Sequence, residues 1–225
     1  MTRRQADAVV ASGKPTRPRE ASRSWRQFAY RAARRGIGLQ LVQVRVCDLR
    51  LIAEPRWDDN YEFRQLAADD VRRLAADPAN DLAAGMAVRL ADGSHQCFAA
   101  FDGLNLACYV WCSQRSVGPE DTMGIPTELP GDACYVFKAF SVPAYRGRGI
   151  YVLTAQRMLA TCRQVGKTWG IALIEYGNVA SIRSHDRIGL KPHGWIASAG
   201  WGRLTCRWYA AAARQHGFGA SKTSE

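Results

Sequence analysis

The sequence predicts one α/β domain built on a mixed central sheet. Antiparallel strands come first and a β-α-β crossover follows, with helices on both faces. Three observations lead there. In "QCFAAFDGLNLACYVWC" two apolar runs flank Asp102-Gly103, a dipeptide suited to a two-residue hairpin turn whose two positions both take φ > 0. A third strand-like run, "ACYVFKAFSV", ends in the basic glycine turn "VPAYRGRGIY" and passes into a stretch of helical period. The apolar run "TWGIALIEY" follows that helix, which is the order of a crossover in an α/β sheet.

The elements read as follows along the 225 residues, a length that accommodates one domain and an extension. Residues 1–36 form a basic, largely disordered extension that ends in an amphipathic helix. In that helix Trp25, Phe28, Ala29, Ala32 and Ala33 make a stripe at helical spacing. The stripe suits packing onto the domain behind it, which is the preferred reading, or an amphipathic helix that seeks a surface. Residues 37–60 are a strand ("LQLVQVRVC") and a connector, and the main domain spans 60–212. It opens on a short strand (61–66) and a helix whose Asp69 and Asp70 suit the positive helix end. A helical stretch continues to about Leu90, before the hairpin. A long loop (113–131) precedes the third antiparallel strand, and such loops are often functional. After the glycine turn, Tyr151, Ala155, Met158, Leu159, Cys162 and Val165 form a core stripe. A short helix starts near Asn178 and stops at Gly189. "WIASAGWGRLTCRW" is a last pair of strands, and 213–225 is a flexible tail.

The formal charge is +11, and residues 1–35 hold ten basic against two acidic residues. The basic character therefore belongs to the extension. It is either a solvated tail or a weak site for an anionic partner such as membrane, RNA or nucleotide. No apolar run approaches the roughly 18 residues of a membrane span, and the N-terminus lacks a secretory apolar core. Seven cysteines without C-x-x-C and four scattered histidines argue against a metal site and for free thiols in a reducing cytoplasm. A cytoplasmic protein is expected.

Strand, glycine turn and helix start is an arrangement that binds phosphate, because unpaired N–H groups and the helix dipole face the anion. Two nucleotide patterns fail here. G-x-G-x-x-G needs a glycine where Val152 stands. A P-loop reading of "GKT" at 166–168 lacks its first glycine (Thr161) and follows a helix instead of a strand. "SVPAYRGRGIY" instead resembles the acyl-CoA pyrophosphate loop of the GNAT superfamily of N-acetyltransferases, R-x-x-G-x-G/A. Arg146 and Gly149 match it, and Tyr151 departs from its small residue. "NVASIRSHDRIGL" resembles the family's second cofactor segment, N-x-x-A-x-x-x-Y-x-x-x-G-F. There Asn178, Ser181, His185, Gly189 and Leu190 fall in register, with His185 in place of tyrosine. The resemblance covers about residues 60–210.

The resemblance implies acetyl transfer from acetyl-CoA, a co-substrate, to an amine on a small molecule or peptide, with no metal. The pantetheine arm would run along Phe140, Ser141 and Val142. The pyrophosphate would sit on N–H groups of Arg146, Gly147, Arg148, Gly149 and Ile150, with Asn178 and Ser181 nearby; Asn178 also suits a helix N-cap. His185 takes the position of the family's proton donor to the leaving thiolate, or is structural. Glu175 is the candidate base for the amine, or a buried ion-pair partner. His95 and His193 are read as surface or turn residues. An acidic rim of Glu120, Asp121 and Glu128 would suit a cationic acceptor. The alternative function is a GNAT-like binding module without catalysis, or a nucleic-acid or membrane adaptor acting through the basic arm. The sequence leaves the oligomeric state open.

Overall fold

The computed structural model describes residues 18–115, 117–201 and 204–219. Helix α1 (Pro18–Ile37) leads into strand β1 (Gln40–Asp48). Strand β2 (Glu62–Gln65), helix α2 (Ala68–Leu74) and the short α3 (Ala87–Ala91) follow. Next come β3 (His95–Asp102), β4 (Asn105–Ser113) and β5 (Ala133–Ser141). Helix α4 (Ile150–Gln164) crosses to β6 (Trp169–Glu175), which leads to α5 (Val179–Ile188). The last elements are β7 (Lys191–Trp201), β8 (Leu204–Tyr209) and the one-turn α6 (Ala211–Arg214).

All eight strands share one sheet in the order β2-β3-β4-β5-β6-β1-β7-β8. Only β5 and β6 run parallel; the other neighbours are antiparallel. This is the mixed sheet that the sequence predicts. Alternation along the strands gives each face its own apolar layer. On one face Val44, Tyr109, Trp111, Tyr135 and Ile171 join Val71 of α2. On the other, Phe98, Val110, Val136 and Ala172 meet Ala155, Met158 and Leu159 of α4, so the stripe along α4 is core. No described helix is long and apolar enough to cross a membrane, and all seven cysteines are free thiols.

Five local features depart from the sequence reading. First, the strand set apart within 37–60 lies inside the sheet, where β1 pairs with β6 on one side and β7 on the other. Its partners are more than 100 residues away, beyond the reach of local periodicity. Second, Asp102 pairs with Asn105 across the hairpin, so the turn is Gly103-Leu104. Gly103 has φ 56°, which is the glycine-first requirement of a type II′ turn. Third, the helical stretch to Leu90 breaks into α2, two single 3-10 turns and α3. Pro78 starts one of those turns and the Asp77 side chain caps it.

Fourth, the aromatic stripe of α1 does not pack on the domain, because Trp25 and Phe28 are exposed. Tyr30 docks the helix instead. Its hydroxyl donates to Glu175 Oε1 at 3.1 Å and accepts from the Leu41 N–H at 3.3 Å. Arg34 pairs with the same Glu175 oxygen at 2.5 Å. Fifth, residues 213–219 of the expected tail are packed. Ala213 and Phe218 are buried. The Glu128 N–H donates to the Gly217 carbonyl at 2.9 Å, and the Gly219 N–H to that of Pro126 at 3.1 Å. Burial of Phe218 thus ties this segment to the long loop. Residues 1–17 and 220–225, part of the expected extension and tail, lie outside the described residues.

Candidate functional site

β5 and β6 pair only over Ala133–Val136 and Trp169–Ala172, and then separate. β5 stays bonded to β4 as far as Ser141, but its ladder slips where Val110 faces Ala139 and Trp111 faces Phe137. Lys138 is the extra residue of this bulge, at φ 23°. A bulge sharpens the local twist and bends the strand that carries it. Beyond Val136 the β5 edge that faced β6 therefore has no strand partner among the described residues.

A groove lies between the separated strands and the helices above them. One compartment, of about 370 Å³, is lined by Lys138, Phe140, Ser141, Leu173, Asn178, Ser181 and His185. The next, of about 410 Å³, is lined by Phe140, Ser141, Arg146, Gly147, Gly149, Ile150 and Arg187. Tyr151, Ala180 and Ser184 line both, so the two are continuous.

The basic glycine turn forms the outer end. Gly147 and Gly149 take φ 79° and 82°, a region in which a Cβ is strained. A Cβ on Gly147 would meet no protein atom within 4 Å, so that side of the turn is open. The N–H groups of Gly147, Arg148, Gly149 and Ile150 have no acceptor among the described residues. Gly149 caps α4 and Ile150 opens it, so the last two are helix-start donors and the first two lie in the turn before them. Arg146 Nε donates to the Ser141 carbonyl at 3.1 Å, which closes the turn onto β5. Arg148 instead lies over the Tyr145 ring at 5.3 Å, and its side chain lines neither compartment. Arg187 contributes the second positive charge: a Cβ on Gly149 would stand 3.3 Å from its Nη2.

The inner end belongs to α5. Asn178 Oδ1 accepts from the Ser181 N–H at 3.1 Å, so it caps the helix while lining the groove. His185 is buried, and its Nδ1 lies 2.8 Å from the Ser181 carbonyl oxygen. A carbonyl only accepts, so Nδ1 carries the hydrogen and Nε2 is left as an acceptor on the neutral ring. Burial lowers the His185 pKa below the ordinary value; the Ser181 bond opposes this and the charge of Arg45 adds to it. Arg45 comes from β1 and is itself fully buried. Its guanidinium donates to the Leu190 carbonyl, to Gln43 Oε1 and to Asp186, so it clamps the end of α5 to the sheet.

Tyr151 sits between the two ends. Its ring is 6.3 Å from that of His185 and packs among the apolar residues under α4. It also lines the compartment beside the glycine turn. Burial raises its pKa, so the hydroxyl stays protonated at neutral pH. It makes no hydrogen bond to a described residue.

The structure therefore gathers Phe140, Ser141, Arg146, Gly147, Gly149, Ile150, Asn178, Ser181 and His185 around one groove. Two other candidates stand apart: the Val142 N–H is used by the Ala107 carbonyl at 3.0 Å, and Glu175 is held by Tyr30 and Arg34. Arg148 keeps its N–H at the turn while its side chain turns to Tyr145, whereas the Arg146 N–H expected at the pyrophosphate is used by the Pro143 carbonyl at 3.3 Å. The acidic rim is also altered, because Arg89 takes both Glu120 and Asp121 at 2.7 Å. His95 is buried against Asp121 at 3.3 Å instead of lying at the surface. His193 is half-buried, 4.7 Å from the His216 ring.

Sequence reading missed Lys138, Ser184 and Arg187. Ala180, Ser184 and Arg187 follow at four- and three-residue steps, so one helix face carries them, and that spacing was the available signal.

No family model and no curated protein matches the chain. Solved structures do. A putative acetyltransferase from the GNAT family of Novosphingobium aromaticivorans is 18% identical at a TM-score of 0.52, over 73% of this chain and 66% of its own. A GCN5-related N-acetyltransferase from Kribbella flavida is 13% identical at 0.52, over 78% and 65%. One from Sphaerobacter thermophilus is 12% identical at 0.51, over 85% and 56%. At such identities the likeness is one of fold, and this chain spans between about half and two thirds of their length. The chain has the GNAT fold.

Proposed function

From the GNAT fold and this groove, we propose that the chain is an N-acetyltransferase that moves an acetyl group from acetyl-CoA to an amine. The observation that carries the proposal is the pairing of two ends in one groove. One end is a strand edge without a partner, suited to the amides of a pantetheine arm. The other is a row of unpaired N–H donors between Arg146 and Arg187, suited to a pyrophosphate. The open space at Gly147 fits a phosphate against the backbone.

An acetyl thioester supplies an electrophilic carbonyl and a thiolate leaving group. A C–N bond forms as the C–S bond breaks, the amine nitrogen loses a proton and the sulfur gains one. His185 Nε2, with its lone pair left open by the Nδ1–Ser181 bond, is the acceptor for the amine proton. This reverses the donor role expected from its place in the sequence. Tyr151 is the donor to sulfur, because its hydroxyl is protonated and uncommitted. Glu175 has no part in the transfer, since Tyr30 and Arg34 occupy it.

The test is to incubate the protein with acetyl-CoA and a panel of primary amines while reading free thiol, alongside a CoA titration. Amine-dependent thiol release with saturable CoA binding is the expected result. No heat of CoA binding and no thermal shift would overturn the proposal.

A further inference from the structure

We propose that α1 and the β7–β8 hairpin form one surface that docks onto an anionic lipid bilayer. It goes beyond acetyl transfer and does not depend on it.

The first observation is an apolar helix face with no partner among the described residues. Trp25 is 63% exposed and Phe28 75% exposed, and Ala29 and Ala32 on the same face are exposed too. These positions lie on the opposite side of the helix wheel from Tyr30 and Arg34, which hold α1 to the domain. The helix is therefore fixed with its apolar stripe turned outward.

The second observation is independent and comes from the sheet. Ala197 faces Trp208 and Trp201 faces Leu204 across the β7–β8 ladder. Period-two alternation then puts Trp195, Trp201, Leu204 and Trp208 on one face of the hairpin. All four are exposed, Leu204 by 86%. The two regions adjoin, because Trp201 walls a shallow cavity of about 690 Å³ with Arg31, Arg34 and Arg35 of α1. Six of the seven cysteines and both large aromatic layers are buried elsewhere, so this concentration of exposed tryptophan is particular to one side.

Charge identifies the occupant. The span of α1 holds six arginines against Glu20 alone, and Arg31 and Arg35 are exposed and line the cavity that Trp201 walls. An apolar stripe flanked by arginine, with tryptophan at its edge, suits the headgroup region of a negatively charged bilayer. A second copy of the chain would bring like charges together. A nucleic acid would stack on tryptophan but gains nothing from Leu204 or the exposed Ile37.

The experiment sediments the full chain with vesicles of phosphatidylcholine alone, or with about a third phosphatidylglycerol. The expected result is binding to the mixed vesicles only, a blue-shifted tryptophan emission, and loss of binding as salt rises past the screening range. Trp25→Ser with Phe28→Ser keeps every charge and should weaken partitioning roughly tenfold or more. Trp201→Ser with Leu204→Ser, distant from α1 in sequence, should do the same, with circular dichroism confirming that each variant is folded. Full vesicle binding by both folded variants would overturn the proposal, since charge alone would then suffice. So would equal binding to the neutral vesicles, or retention of a single-stranded RNA that both pairs of substitutions abolish.

Discussion

Replacing Gly149 by glutamate tests the phosphate turn at its centre. The backbone there has φ 82°, so any side chain costs about 1–2 kcal/mol of strain. The added Cβ would meet Arg187 Nη2 at 3.3 Å, the far end of a flexible side chain that can swing aside. The fold should therefore survive with a modest loss of stability. The turn should not bind its ligand. A carboxylate would sit among N–H groups that otherwise face a phosphate, and would draw Arg187 to itself. Losing two charge-assisted hydrogen bonds, each worth about 1.5–3 kcal/mol, weakens CoA by about 10²–10⁴-fold. Calorimetric titration with CoA measures this, and pantetheine, which carries no phosphate, is the control whose affinity should hardly change. A folded Gly149→Glu protein with native CoA affinity would refute the reasoning.

The pH profile separates the two roles of His185. With its pKa lowered below the ordinary 6.5, a base stays active at neutral pH and fails only as pH falls through that lowered value. A general acid would already be deprotonated and idle at pH 7. His185→Gln should lower turnover and remove the acid limb while leaving CoA affinity near native, as rate measurements from pH 5 to 8 would show. Glu175→Gln keeps an acceptor for the Tyr30 hydroxyl and loses a half-exposed ion pair with Arg34. It should cost about 1 kcal/mol or less in urea unfolding and leave turnover intact; a hundredfold fall in kcat with native folding would restore Glu175 as the base. Arg45→Met leaves the half-exposed Asp186 without its ion pair and strands the buried Leu190 carbonyl and Gln43. It should cost about 2–4 kcal/mol in chemical unfolding from those two unsatisfied acceptors, and a change below about 1 kcal/mol would deny Arg45 its clamping role.

The parts of the site legible in the sequence are those built by consecutive residues. The turn from Arg146 to Ile150 follows from its glycines, and the Asn178 cap and the Gly189 stop bracket α5. The less legible parts depend on distant pairing. Arg45 is an exposed-looking charge in an alternating strand until β1 is inserted between β6 and β7, which buries it. Glu175 looks available until Tyr30, 145 residues earlier, bonds to it. The Lys138 bulge depends on the register of β4, which a single strand's composition does not encode. The hairpin turn shifted by one residue for the same reason: pairing across the strands, not the favoured dipeptide, set the loop.

A crystal structure of the chain with CoA tests the central claim most directly. The account predicts the pyrophosphate within hydrogen-bond distance of the N–H groups of Gly147 to Ile150, Arg146 and Arg187 beside it, and the sulfur near His185 and Tyr151. A CoA bound elsewhere, or a β5–β6 groove that remains empty at saturating CoA, would contradict it.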